Sequence, residues 1–163
     1  MIDQLLFMLT FLSAITSGLM AGFLFAFSVC VMKALSRLPP AQGITAMQLI
    51  NVVVLNPLFL SVFVGTAAVC VVLGVSSLLM WHQPDALYRL TGSALYLVGT
   101  LAVTIAFNIP RNEALATVAA DSADAAKRWQ QFLREWTTWN HVRTAAALLA
   151  AAMFTVAVRV FAA

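Results

Sequence analysis

Residues 5–31 read LLFMLTFLSAITSGLMAGFLFAFSVCV, twenty-seven positions without a charge. A helix rises 1.5 Å per residue, so about 20 such residues cross the roughly 30 Å hydrocarbon core of a bilayer. The run is too long for the apolar core of a secretory signal. The one charge before it is Asp3, where a signal peptide would carry Lys or Arg. The stretch reads as a retained membrane span, Leu5–Ala34.

Outward from this run the pattern repeats. Apolar segments Pro57–Trp81, Leu87–Asn108 and Trp136–Phe161 are each long enough to cross a bilayer. The expectation is an all-α integral membrane protein, a four-helix transmembrane bundle forming one domain over residues 1–163. Composition agrees. Of 163 residues 63% are hydrophobic and 9% charged, against about 25% charged in a soluble domain. The mean hydropathy is +0.95. So few charges cannot cover a water-facing surface.

The breaks between runs carry their own chemistry. Leu38-Pro39-Pro40 ends span one, because proline removes an amide and restricts the residue before it. Residues Ala41–Val53 form a short helix, with Met47, Ile50 and Val54 placed along the bilayer surface. Asn56-Pro57 opens span two, Asn as N-cap and Pro at the first helical position. His82-Gln83-Pro84-Asp85 is a turn, and Pro110 ends or kinks span three. On a helical wheel Trp129, Phe132, Leu133, Trp136, Asn140 and Arg143 share one face, opposite Asp124, Lys127, Gln131, Arg134 and Thr138. An amphipathic helix therefore starts near Asp124 and runs into span four. Short interfacial helices thus lie on one side of the membrane. Ala14, Gly18, Gly22 and Ala26 form a small-residue ladder suited to close helix packing. Cys30 and Cys70 fall at different depths, with no CxxC, and read as packing residues.

The chain is basic, with a pI near 9.3, but the basic residues are spread beside hydrophobic runs, and no nucleic-acid partner is expected. Lys33, Arg37, Arg111, Lys127, Arg128 and Arg134 flank the first and third connections; Arg89 and Arg159 lie on the other side. The positive-inside rule places both termini outside a bacterial inner membrane and the longer connections in the cytoplasm. The lipid bilayer is the first partner, and a homo-oligomer is compatible with the pattern.

Uncharged polar residues gather at the cytoplasmic end: Ser28, Gln48, Asn51, Asn56, Asn108, Asn112, Asn140 and His141, with Trp139 and Arg143. Tyr96, Thr100, Thr104, Asn108 and Asn112 make a four-residue ladder along span three towards that end. Amides and imidazoles in a membrane are costly unless paired, and face the bundle interior or a cavity. Two readings stand: these groups cap broken helix ends, or they line a binding pocket. His141 is the one group among them that titrates near neutrality, a natural general base. On a straight helix Arg143 points about 160° away from it, so the two serve one pocket only if the helix opens locally; otherwise Arg143 anchors to lipid phosphate or to the connections. His82 lies in the far turn. No span carries a buried Asp or Glu, and the two histidines sit on opposite sides, so no metal site or bis-His haem is expected. Phosphate loops and nucleophile elbows are absent from the sequence.

Ser28, Val31-Met32-Lys33-Ala34-Leu35, Pro39-Pro40, Ala46-Met47-Gln48, Ile50-Asn51, Asn56-Pro57, Phe63-Val64-Gly65-Thr66 and Leu95-Tyr96-Leu97-Val98-Gly99-Thr100 together resemble the anthrone oxygenase–like family of small membrane proteins. The similarity is strongest at Phe107-Asn108-Ile109-Pro110-Arg111-Asn112 and at Trp136-Thr137-Thr138-Trp139-Asn140-His141-Val142-Arg143-Thr144. The resemblance implies oxidation of an anthrone methylene to an anthraquinone carbonyl, with O₂ as co-substrate and no added cofactor. It then implies His141 as base, Asn140 or Asn108 as oxyanion donors, and Trp136 and Trp139 as aromatic walls. Asn112, Asn51, Gln48, Asn56, Thr104, Tyr96 and Arg143 complete the expected substrate-binding set. The alternative is a non-catalytic membrane protein that binds a hydrophobic small molecule or a partner, or serves as a scaffold.

The charge asymmetry generates a first prediction. In a background lacking Cys30 and Cys70, Asp3→Cys should react with an impermeant maleimide in intact cells, and Lys127→Cys only after lysis. Labelling of Lys127→Cys alone in intact cells reverses the topology.

Overall fold

The structure is a computed structural model and describes residues 1–161; the expected position of Ala163 lies outside the described residues. Four helices are long and apolar enough to cross a membrane: α1 (Ile2–Leu35), α3 (Pro57–Leu79), α4 (Ala86–Ala116) and α5 (Ala125–Phe161). A shorter helix, α2 (Pro40–Val53), joins α1 to α3. α5 packs between α1 and α4, and α3 closes the ring by touching both. The rings of Phe7 and Phe161 meet at 5.3 Å, so α1 begins where α5 ends. Gln83 Nε2 donates to Asp3 Oδ1 there at 3.4 Å. This is the termini end; the other is the cap end.

Apolar side chains point both ways. Inside, Leu6, Met20, Phe63, Cys70, Leu73, Tyr96 and Phe154 form the bundle core. Outside, Phe11, Leu19, Val71, Leu78, Val98 and Leu148 are all exposed, as lipid-facing positions require. Each helix satisfies its own backbone, so the spans need no water. The molecule is a multi-pass membrane protein.

The expected helix from near Asp124 into span four is one continuous helix, and its inward face holds Trp129, Phe132, Trp136, Asn140 and Arg143. Asn56 caps α3 as expected, accepting from the Phe59 amide at 3.0 Å. Other expectations need correction. Met47 does not lie on the bilayer surface: it is 1% exposed, packed with Ile44, Leu115 and Trp129 in a second core at the cap end. Gln48 Nε2 explains the rotation of α2. It donates to Leu115 O at 2.9 Å and to Val118 O at 3.1 Å, fastening α2 to the end of α4. Leu49, Val52 and Val53 face outward instead. Pro110 does not end span three, since α4 continues to Ala116. It follows closely on the widened turn Thr104–Asn108, and Arg111 Nη1 donates to Phe107 O at 2.8 Å beside it. Only half of the small-residue ladder packs. Gly18 faces Ala151, whereas Gly22 faces open space. Cys70 is buried and Cys30 exposed.

At the termini end Arg89 folds inward rather than outward. It is 0% exposed and pairs with buried Asp85 at 3.1 Å, at the turn just before α4. A carboxylate at the edge of a span can be buried because its counter-charge comes with it.

Gly43 generates the second prediction. A Cβ there would lie 2.7 Å from Trp129 Cε2 and Cζ2, and Trp129 is itself sealed in the cap core. Gly43→Ala should lower stability by about 1–3 kcal/mol through overpacking. Gly22→Ala, with open space around it, should not destabilise and gains helix propensity. Thermal unfolding of both variants in detergent checks the contrast; equal melting temperatures contradict it.

Candidate functional site

The ladder on α4 raises a geometrical problem. Four residues of α-helix turn through 400°, so a four-residue ladder drifts about 40° per step and about 160° from Tyr96 to Asn112. Those two residues should then face opposite ways. They do not: Tyr96, Thr100 and Asn108 are buried, and Thr104 and Asn112 half-buried. The reason is that α4 is widened into π turns over Leu95–Ala102 and Thr104–Asn108. Bonds closing from i to i+5 put more residues in each turn and absorb the drift.

So aligned, the ladder grips its neighbours. Tyr96 Oη donates to Phe63 O at 3.1 Å. Thr100 Oγ1 donates to Arg143 O at 3.4 Å, and Asn108 Nδ2 to Trp136 O at 3.2 Å. The two contacts with α5 are eight residues apart on α4 and seven apart on α5, which fixes the register of Trp136 and Arg143. At Gly99 an added Cβ would collide with the Ala146 Cβ, so the helices touch here because a glycine permits it.

Asn140 then organises the interior. Its Nδ2 donates to Leu24 O at 2.8 Å and to Ser28 Oγ at 2.7 Å, beside another widened turn, Phe27–Val31. Its Oδ1 accepts from Arg143 Nε at 2.9 Å. Arg143 Nη1 donates to Thr104 Oγ1 at 3.2 Å, and the guanidinium lies 4.9 Å from the centre of the Trp136 ring. A cation over an indole in a dry site is favourable by about 2 kcal/mol. Arg143 is thereby aimed towards α3, not at lipid phosphate.

It borders a cavity of about 300 Å³ between α1, α2, α3 and α4, at the lower end of the roughly 300–1,000 Å³ typical of ligand pockets. One wall is aromatic. Phe27 meets Phe23 at 5.1 Å, Phe23 meets Phe59 at 5.3 Å, and Phe59 stacks on Phe63 at 5.7 Å. The polar lining is Asn51, Thr104, Asn112, Trp136 and Arg143. Three of these hold buried atoms without a hydrogen-bond partner among the described residues: Asn51 Nδ2, Asn112 Oδ1 and Trp136 Nε1. Leu55, Leu60, Val64, Ile105 and Ile109 line the cavity and are also exposed. The cavity therefore opens sideways, between α3 and α4, onto the lipid-facing surface.

The expected site residues divide accordingly. Asn51, Thr104, Asn112, Trp136 and Arg143 reach the pocket together. Asn140, Asn108 and Tyr96 stand behind it as supports. Gln48 and Asn56 are occupied in fastening α2 and capping α3, and Asn56 is exposed. Trp139 forms no wall; it stacks on Phe107 at 3.5 Å, on another face of α5. His141, expected to be buried beside Asn140, is exposed and borders a different groove. The 100° per residue of a helix separates it from Arg143, as the wheel anticipated. His82 is exposed in its turn. The aromatic wall was not singled out in the sequence, because phenylalanines in a membrane span carry no signal that distinguishes a pocket from lipid.

The profile of the family described as anthrone oxygenase matches residues 59–153, covering α3, α4 and most of α5. No curated protein and no solved structure matches the chain.

The interior network supplies the third prediction. Asn140→Ala removes three hydrogen bonds and leaves a buried guanidinium short of an acceptor. It should cost about 3–5 kcal/mol, the range for uncoupling a buried charge. Asn56→Ala, the loss of an exposed cap, should cost about 1 kcal/mol. Thermal unfolding in detergent micelles measures both, and a reversed order refutes the assignment.

Proposed function

The chain belongs to the anthrone oxygenase family, and from that premise we propose that it oxidises a planar, lipid-soluble aromatic of the anthrone type with O₂ and no added cofactor. The observation that carries this reading is an apolar, aromatic-walled cavity bordered by Arg143 and lined by Asn51, Asn112 and Trp136, each of which also holds a buried polar atom without a partner. Asn51 Nδ2 and Trp136 Nε1 are donors and Asn112 Oδ1 an acceptor, with the Arg143 guanidinium beside them. An aromatic ketone that becomes an anion during reaction complements such a lining, its rings against Phe23, Phe59 and Phe63.

The chemistry follows from where charge develops. Loss of a proton from the methylene between two aryl rings puts negative charge on the ketone oxygen. Fixed donors in a dry site stabilise that oxyanion strongly. The electron-rich anion gives one electron to O₂, and the resulting radical and superoxide combine at the methylene carbon. With a proton this is a hydroperoxide, and loss of water leaves the carbonyl. The sum is CH₂ + O₂ giving C=O + H₂O. The lining includes no carboxylate and no imidazole, so in this reading water takes the first proton and the chain lowers the cost of the anion. His141 is accordingly not assigned as the base. Entry through the gap between α3 and α4 suits a substrate that partitions into lipid. We further infer that the cap end faces the cytoplasm of a bacterial inner membrane, on the distribution of basic residues.

The absence of a base from the lining favours one second reading, a pocket that binds such an aromatic without turning it over. One assay separates the two. Purified protein in detergent is mixed with a hydroxylated anthrone under air, and quinone absorbance and tryptophan fluorescence are followed together. Turnover above the buffer blank is expected. Arg143→Gln should lower it about 10²–10³-fold, the loss typical of an oxyanion donor, and Asn51→Leu by about tenfold. His141→Ala, outside the pocket, should lose much less than Arg143→Gln; a larger loss restores the base to His141. Saturable quenching without turnover selects the binding reading.

A further inference from the structure

The motif Trp136–Thr144 presents two faces, and the pocket uses only one. On the other, His141 and Arg134 of α5 border a groove of about 540 Å³ shared with Ser28 and Lys33 of α1. His141, Arg134 and Lys33 are all exposed. No carboxylate lines the groove. The ion pairs among the described residues are Asp85–Arg89 and Arg111–Glu135, so neither Lys33 nor Arg134 makes a contact ion pair. Glu135 is adjacent in sequence, but its carboxylate is held by Arg111 and Gln131.

We propose that this groove binds the phosphate headgroup of an anionic glycerophospholipid, with Lys33, Arg134 and His141 as its ligands. Depth is the first argument. His141 lies seven residues past Arg134, about 10 Å further into the membrane along the helix axis. An imidazole facing outward at that depth is costly unless a polar partner reaches it. A headgroup drawn between the two helices from the interface supplies one. Charge is the second: two cations and a hydrogen-bonding imidazole with no acid among them complement a phosphate diester. Continuity is the third. Val29 and Val142, one position from Ser28 and His141, are exposed and apolar, so α1 and α5 offer acyl chains a surface leading away from the groove. A free phosphate would use only the charge.

The test is native mass spectrometry of the intact protein released from micelles containing equal dioleoyl phosphatidylglycerol and dioleoyl phosphatidylcholine. Wild type should retain one phosphatidylglycerol in preference to phosphatidylcholine. Lys33→Gln with Arg134→Gln should weaken that retention about 10–30-fold, at roughly fivefold per basic side chain. Lys127→Gln with Arg128→Gln removes as many charges from the same end but outside the groove, and should leave retention within about twofold. Exposed glutamines in place of exposed cations leave the fold intact, which an unchanged melting temperature confirms. Equal losses in the two double variants overturn the proposal, because the attraction is then general to the basic end. Displacement of the lipid by millimolar inorganic phosphate overturns the assignment to lipid.

Discussion

A guanidinium within apolar helices is costly unless its protons find acceptors, and Arg143 Nε and Nη1 find Asn140 and Thr104. Around that requirement much of the cap end is arranged. Asn140 can present its oxygen to Arg143 because its nitrogen is fixed on α1 by Leu24 O and Ser28 Oγ. Thr104 can present its hydroxyl because the widened turns of α4 keep the ladder facing inward. Three helices are thus tied through the pair Asn140 and Arg143. In a bilayer, where packing gains little from the hydrophobic effect, such bonds and close contact between small residues decide how helices meet.

The two buried arginines make a useful contrast. Arg89 lies beside the carboxylate of Asp85, four residues before it at the start of α4, and the pair is locally neutral. Arg143 has neutral partners, so its charge is not cancelled by the protein and remains available to whatever enters the cavity. Opposite signs attract in inverse proportion to the local dielectric constant, so an uncancelled charge in a dry pocket acts far more strongly than one at the surface. That difference, more than burial itself, separates a structural arginine from one that can act on a ligand.

Much of this was legible in the sequence. The spans followed from apolar length, the cap of α3 from Asn56-Pro57, and the inward face of α5 from helical periodicity running through Trp129, Trp136, Asn140 and Arg143. The angle between His141 and Arg143 was readable too, yet both belong to the expected site, and only Arg143 lines the cavity. What failed did so for physical reasons. Met47 was placed outward because an isolated amphipathic helix next to a membrane looks the same whether it meets lipid or another helix, and the bond from Gln48 that decides the matter is long-range. Asp85 was missed because a pair at four-residue spacing, Asp85 and Arg89, resembles an exposed one. Counting polar residues at one end found the neighbourhood of the pocket but could not separate those that line it from Gln48, Asn108 and Asn140, which hold it up.

The widened turns carry a consequence for how this chain can change over time. A π turn accommodates one more residue than an α turn between the same two neighbours, so α4 behaves as a helix that has taken in extra residues without lengthening its path. Losing a single residue from Leu95–Ala102 can be absorbed by closing a π turn to an α turn, so that Asn108 and Asn112 keep facing α5 and the cavity. The same loss from the regular turns of Ala86–Ala94 would rotate everything beyond it by about 100°. The widened stretch is therefore where this helix can change its length and keep its register.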